Sequence, residues 1–109
     1  MRNDMLTIYS STIEIAREAG IAARTIAQHD ADLARQLRRA ATSIPLNLAE
    51  GAGVSGGHRR QRYMTALGSA REVLACLETG HVMGYSEVVG TEARSRLDQV
   101  IGTLVRIVR

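Results

Sequence analysis

Apolar residues recur every three or four positions along four stretches of the chain, and charged residues occupy many of the positions between them. This spacing puts the apolar side chains on one face of an amphipathic α-helix. The first stretch spans about residues 5–27, and Gly20 inside it costs a helix about 1 kcal/mol relative to Ala. We therefore expect a neighbouring helix to approach closely at Gly20. The predicted apolar face consists of Tyr9, Ile13, Ala16, Ala23 and Ile26.

The second predicted helix spans about residues 31–50 and contains the only proline of the chain, Pro45. A proline inside a helix removes one backbone hydrogen bond, so either the helix is kinked or a new helix begins after Ser43. The apolar face keeps its phase across Pro45, which favours one kinked helix ended by Gly51 and Gly53. That face consists of Leu33, Leu37, Ala40, Ile44 and Leu48.

The third predicted helix, about residues 58–83, carries two apolar lines side by side. Together they are wider than one bundle seam requires, so we expect part of this face to be exposed in a single chain and covered by self-association. Gly84 is predicted to end the helix in a left-handed conformation, with Tyr85 folding back onto the last turn. The main line is Tyr63, Leu67, Ala70, Leu74, Leu77, His81 and Gly84, and the second is Ala66, Val73 and Gly80.

The fourth predicted helix begins at Ser86, a good N-cap, with Glu87 at the positive helix end. Its apolar positions are Val89, Ala93, Leu97, Val100, Ile101, Leu104 and Val108. Four such helices with short connections predict an all-α fold, an up-down-up-down antiparallel four-helix bundle with its second helix kinked at Pro45. The 109 residues fit one domain, 1–109.

The amino-acid composition restricts the classes of function that this protein can have. All 14 basic residues are Arg, and 11 acidic residues leave a net charge of +3. Arg suits phosphate contact, although a biased genome also produces an all-Arg inventory. Three Tyr without Phe or Trp supply little surface for stacking unpaired bases. A lone Cys76, no leader and no membrane span predict a reducing, cytoplasmic location.

The sequence favours a protein that is not an enzyme and has no metal or cofactor. Glu78 and His81 have the spacing of bundle metal ligands, but there is no second copy of the motif, so we expect His81 to be packed or hydrogen-bonded. Cys76 and the serines lack a clearly placed histidine and acid for nucleophilic catalysis. The glycine-rich residues 51–57 precede a helix and resemble a phosphate cradle, but an interhelix turn is favoured.

Five arginines form the predicted nucleic-acid surface. Those at the start of the third helix lie where the helix dipole disfavours cations. Because they do not stabilise that helix locally, their placement favours a role in binding. Such residues would neutralise phosphates with little sequence preference, whereas the alternative is a solvated helix face. The five are Arg38, Arg39, Arg59, Arg60 and Arg62.

A line of polar residues crosses the second helix, and a shorter one crosses the third. Polar lines in a bundle mark a hydrogen-bonded network or a wet subunit contact, and a ligand site less often. We predict a subunit interface made of Ser43, Asn47, Glu50, Ser69 and Glu72.

Residues 36–51, QLRRAATSIPLNLAEG, resemble the signature of the small four-helix-bundle family named for proteins encoded in 23S ribosomal RNA intervening sequences. ALGSARE at residues 66–72 and the Gly84-Tyr85 pair resemble it further. The resemblance implies a homopentamer with a proline inside a helix. It implies polar contacts through Asn47, Glu50, Ser69 and Glu72, and no catalytic site.

A related branch, the accessory variability proteins of diversity-generating retroelements, implies a basic pentamer that binds a reverse transcriptase and nucleic acid. Val54 stands where the family often carries Arg, and Tyr63 is the retained aromatic residue ahead of ALGS. A basic surface therefore does not transfer residue by residue. The expected function is a non-enzymatic, homo-oligomeric bundle that binds RNA or DNA. The alternative is a protein-binding adaptor, such as an accessory subunit of a retroelement reverse transcriptase.

Overall fold

Four α-helices form the fold in the computed structural model, which describes residues 3–87 and 91–109. They are α1 (Asn3–Ala27), α2 (Ala31–Ala52), α3 (Gly56–Val82) and α4 (Thr91–Val108). No strand occurs in the described ranges. α1 packs against α2 and α4, and α3 packs against the same two helices. The predicted all-α four-helix bundle is confirmed at this level.

Local side-chain and backbone contacts set the helix ends. The Asp30 carboxylate accepts a hydrogen bond of 2.9 Å from the backbone N–H of Leu33 and so caps the start of α2. At the end of α3, Gly84 has φ +78°, and the backbone N–H of Tyr85 donates to the Gly80 carbonyl at 2.8 Å. This is the predicted left-handed end with Tyr85 folded back.

Helix α4 begins later than predicted. The structure describes α4 as Thr91–Val108, and Ser86 and Glu87 lie outside any helix, so Ser86 is not the N-cap. The turn that ends α3 extends through Tyr85, which leaves no room for a helix to start at the next residue. Val89, placed on the apolar face from the sequence, lies outside the described residues.

The core face of α1 differs from the predicted one. Ile13 is 44% exposed, whereas Ile8 and Ile15 are buried. The face includes a polar residue, Thr12, whose hydroxyl donates to the Tyr9 carbonyl at 2.7 Å and is thereby satisfied inside the core. Ala23 and Ile26 of the predicted face are buried and Tyr9 packs against the core, so the prediction is wrong at Ile13 and omits Thr12.

Gly20 and His81 also differ from their predicted surroundings. A Cβ atom at Gly20 would meet nothing within 4 Å, so no helix approaches closely there. His81, placed on the apolar line of α3, is exposed in the last turn of that helix, and the expected hydrogen-bond partner is the Ser86 carbonyl, 3.4 Å from its Nδ1.

The second apolar line of α3 is covered within one chain. Ala66 and Val73 are fully buried, and Gly80 packs against Ile26 of α1, whose Cδ1 lies 3.0 Å from the position of an added Cβ. The width of this face therefore gives no reason of its own for self-association, contrary to the prediction. Among the described helices, none combines the length and the hydropathy that a membrane span requires.

Candidate functional site

A polar groove of about 770 Å³ runs between α2 and α3. We call it the α2–α3 groove. Its lining includes all five side chains of the predicted subunit interface: Ser43, Asn47, Glu50, Ser69 and Glu72. The structure thus brings together residues that the sequence placed on two separate helices.

A small hydrogen-bond network occupies the middle of the α2–α3 groove. The Ser69 hydroxyl donates to the Ser43 hydroxyl at 2.8 Å, which links α3 to α2. The Asn47 amide donates to the carbonyl and the hydroxyl of Ser43 at 2.9 and 3.0 Å. Because Ser43 and Asn47 are four residues apart on one helix, their side chains lie one above the other. These three half-buried side chains satisfy one another and still face the groove.

The charges that line the α2–α3 groove balance. Arg62 pairs with Glu50 at 3.0 Å, and Arg35 pairs with Asp32. Three arginines and three carboxylates line the groove in all: Arg35, Arg39, Arg62, Asp32, Glu50 and Glu72. A groove of balanced charge fits a polar protein surface better than a phosphate backbone, which requires an excess of cations.

The polar line of α2 is longer than the interface predicted from the sequence, and Arg39 was predicted only as a nucleic-acid contact. Asp32, Gln36 and Arg39 continue the polar line of α2 toward its start, at the same steps of three and four residues that join Ser43 and Asn47. That periodicity was the signal that would have found them. Leu46 also lines the groove and is 61% exposed, which places one apolar side chain on a polar surface.

Two of the predicted nucleic-acid arginines hold the ends of other helices. The Arg59 Nε donates to the carbonyls of Gly51 and Val54, at 3.1 and 2.8 Å, and closes the end of α2. The Arg60 Nε donates to the Val108 carbonyl of α4 at 2.7 Å. The start of α3 disfavours cations, but the neighbouring helix ends expose carbonyls that attract them. A structural role for this placement is visible only in the fold.

The five predicted arginines have different surroundings. Arg39 and Arg62 line the α2–α3 groove, whereas Arg59 and Arg60 lie where α3 begins and α4 ends. Arg38 is exposed on α2 and forms no ion pair with any side chain in the described ranges. Arg106 and Arg109, which sequence reasoning left out, are exposed near the end of α4.

The groups weighed for metal or nucleophilic chemistry have other partners. Glu78 pairs with Arg94 at 3.6 Å, and the His81 Nδ1 lies 3.4 Å from the Ser86 carbonyl oxygen. Burial raises the pKa of the Cys76 thiol, and the nearby Glu72 carboxylate raises it further, so the thiol stays protonated and weakly nucleophilic. Within the described residues, no three or more His, Cys, Asp or Glu side chains could hold a metal together.

A second, more apolar groove of about 420 Å³ lies between α1 and α4. Its floor includes Ala19, Leu77 and Leu97, and Ile21 stands exposed at its rim. At one edge, Arg96 donates to Glu18 at 2.6 Å and joins the two helices. Neither this groove nor this ion pair was expected from the sequence.

Comparison with known proteins identifies one family. The family model described as 23S rRNA-intervening sequence protein matches residues 4–106. No curated protein shows a significant match to the chain.

Proposed function

Because the chain belongs to the family of 23S rRNA-intervening sequence proteins over residues 4–106, we propose that it acts as a non-enzymatic, homo-oligomeric four-helix bundle. The proposed assembly is a pentamer, and the proposed ligand is nucleic acid held by a basic surface. The pentamer rests on the family resemblance, whereas contact between copies is supported by the α2–α3 groove.

The α2–α3 groove is the observation that carries the proposal of self-association. It combines an exposed Leu46 with a half-buried network of Ser43, Asn47 and Ser69 and with balanced charges at both ends. Protein interfaces of this kind have an apolar anchor surrounded by satisfied polar groups and trapped water. A second copy would cover Leu46 and leave the network intact.

The helix order and the helix bend belong to the same proposal. The contact between Arg60 and Val108 joins the start of α3 to the end of α4, and the ion pair between Glu78 and Arg94 joins the end of α3 to the start of α4. The two helices are therefore antiparallel, which supports an up-down-up-down order. α2 continues through Pro45, whose ring crowds the carbonyl of Ala41, and this supports a kink there. Residual dipolar couplings of α2 on either side of Pro45 would measure the bend.

The absence of enzymatic activity is supported by the state of the reactive groups. Cys76 is buried and its pKa is raised, so it makes a poor nucleophile. The His29 ring stacks on Tyr85 with centroids 5.2 Å apart, and His81 faces the Ser86 carbonyl. Both histidines therefore have structural partners in the fold.

Two variants test the α2–α3 groove as a subunit contact. Asn47→Leu combined with Glu50→Ala removes the amide and the carboxylate, and Leu46→Arg puts a charge on the exposed anchor while leaving the network in place. Each is expected to lower the mass of the assembly in light scattering, since a buried interface tolerates neither change.

The matched control is Gln99→Leu combined with Glu92→Ala, which makes the same kinds of change at exposed positions of α4. The control should keep the mass of the unaltered protein. Unchanged mass in both groove variants would reject the α2–α3 groove as the contact between copies.

The alternative function is a protein-binding adaptor, such as an accessory subunit of a reverse transcriptase. It is the function expected of an oligomer that binds neither RNA nor DNA at low salt. A titration of the purified protein with both nucleic acids, with assembly mass recorded alongside, separates the two.

A further inference from the structure

One end of the bundle collects arginines from two helices. Residues 51–71 and 99–109 contain no Asp or Glu, and the Arg60 Nε hydrogen bond to Val108 brings these two segments together at 2.7 Å. We call this surface the cationic end and define it by Arg59, Arg60, Arg106 and Arg109, which are all exposed.

The charge of the cationic end is not balanced locally. Glu50, the acidic residue of the last two turns of α2, is paired with Arg62. The ends of α2 and α4 contribute partial charges of about −0.5 each, and the start of α3 contributes about +0.5. The positive charge of four guanidinium groups therefore exceeds the partial negative charge of these helix ends. The whole chain has a net charge of +3, so the positive charge of these four arginines is larger than the net charge of the protein.

Two of these side chains are held in place before any ligand arrives. Arg59 and Arg60 use their Nε groups on helix-end carbonyls, at 2.7 to 3.1 Å. Arg has four further N–H donors on its two Nη atoms. One Nη of Arg60 contacts the Met64 sulfur at 3.1 Å, and the remaining donors suit the oxygens of a phosphate. Fixing the side chain lowers the entropy cost of binding, because fewer rotamers are lost.

We propose that the cationic end binds the phosphate backbone of double-stranded nucleic acid. This inference rests on the proposed function and specifies both the surface and the form of the ligand. A duplex is favoured over single strands because Tyr63 is buried, Tyr9 and Tyr85 are partly buried, and the chain has no Phe or Trp on which unpaired bases could stack. Contact through phosphates alone makes binding independent of sequence and strongly dependent on salt.

The test compares two variants that each remove two positive charges. Arg106→Gln with Arg109→Gln alters the cationic end without touching the Nε bonds of Arg59 and Arg60. Arg24→Gln with Arg38→Gln is the matched control, because both arginines are exposed and lie outside the cationic end and outside the lining of the α2–α3 groove. Binding to a short RNA duplex, a DNA duplex and the single strands is measured over a range of salt, with assembly mass recorded for each protein.

The end variant is expected to weaken duplex binding roughly tenfold and to lower the salt slope by about 2, one for each lost phosphate contact. The control variant, Arg24→Gln with Arg38→Gln, should bind almost as the unaltered protein does. Equal weakening by both variants, or tighter binding of single strands than of duplexes, would overturn the cationic end as a duplex site while nucleic-acid binding itself stands. No binding by the unaltered protein at low salt would overturn the proposed nucleic-acid function as well.

Discussion

A single missing side chain at Gly51 determines how α2 and α3 meet. Gly51 is buried inside α2, and a Cβ atom there would lie 2.8 Å from Cδ1 of the Tyr63 ring. Tyr63 is itself buried, so its ring has little room to move away. Of the two glycines predicted to end α2, Gly53 is its C-cap, whereas Gly51 lies inside the helix and makes the close contact with α3.

Gly51→Ala is expected to destabilise the protein by about 1–3 kcal/mol, because the new methyl group overpacks the contact with Tyr63. The measurement is urea unfolding followed by circular dichroism at constant chain concentration. The matched control is Gly20→Ala, where the added methyl meets open space and should stabilise α1 by up to about 1 kcal/mol. If Gly51→Ala were as stable as Gly20→Ala, the tight contact with Tyr63 would be contradicted.

At the scale of elements, the end of α3 follows from local sequence and the orientation of α1 does not. Gly84 has φ +78°, the left-handed backbone conformation that ends many helices and that glycine adopts most easily. The face that α1 turns inward depends on which neighbours α1 packs against. Thr12 can lie on that face because its hydroxyl donates a hydrogen bond to the Tyr9 carbonyl. Its neighbour Ile13 then points to another side of the helix and is exposed.

The ion pair between Glu18 and Arg96 connects α1 to α4 at 2.6 Å, with both side chains about one third exposed. A double-mutant cycle with Glu18→Ala and Arg96→Ala is expected to give a coupling of about 0.5–1 kcal/mol, toward the upper end for partly exposed pairs. The measurement is the free energy of unfolding of the four proteins of the cycle.

The comparison pair is Glu78 and Arg94, which connects α3 to α4 at 3.6 Å and is about half exposed. Its longer distance and greater exposure predict a coupling below about 0.5 kcal/mol. A larger coupling for this pair than for Glu18 and Arg96 would contradict the ranking by burial.

At the scale of the whole molecule, charge is distributed unevenly along the bundle. The α2–α3 groove is balanced, whereas the cationic end carries four arginines in two segments without acidic residues. Repulsion among like charges at one end opposes folding and is screened by salt.

The free energy of unfolding is therefore expected to rise as NaCl is increased from 0.01 to 0.1 M, over which the Debye length falls from about 30 to about 10 Å. Arg106→Gln with Arg109→Gln should flatten this rise more than Arg38→Gln with Arg39→Gln, since only the first pair relieves the cationic end. Denaturant unfolding at each salt concentration measures the effect. An identical salt dependence of the two variants would show that the repulsion is not concentrated at this end.

The sequence by itself determined the all-α class, the number of helices, the continuity of α2 through Pro45 and the local stop at Gly84. These features depend on helical periodicity and on backbone requirements within a few residues. The groove residues Ser43, Asn47 and Glu50 could also be chosen from the sequence, because the spacing of one helix puts them on one line.

Only the tertiary structure decided that Ser86 lies outside α4, that Ile13 of α1 is exposed, and that the second apolar line of α3 is covered within one chain. It also decided that Arg59 and Arg60 meet the ends of α2 and α4 and that Arg106 and Arg109 belong beside them. Each of these depends on contacts between residues far apart in sequence. Periodicity along one helix predicts which residues share a face. Which residues of other helices contact that face depends on the packing of the whole bundle.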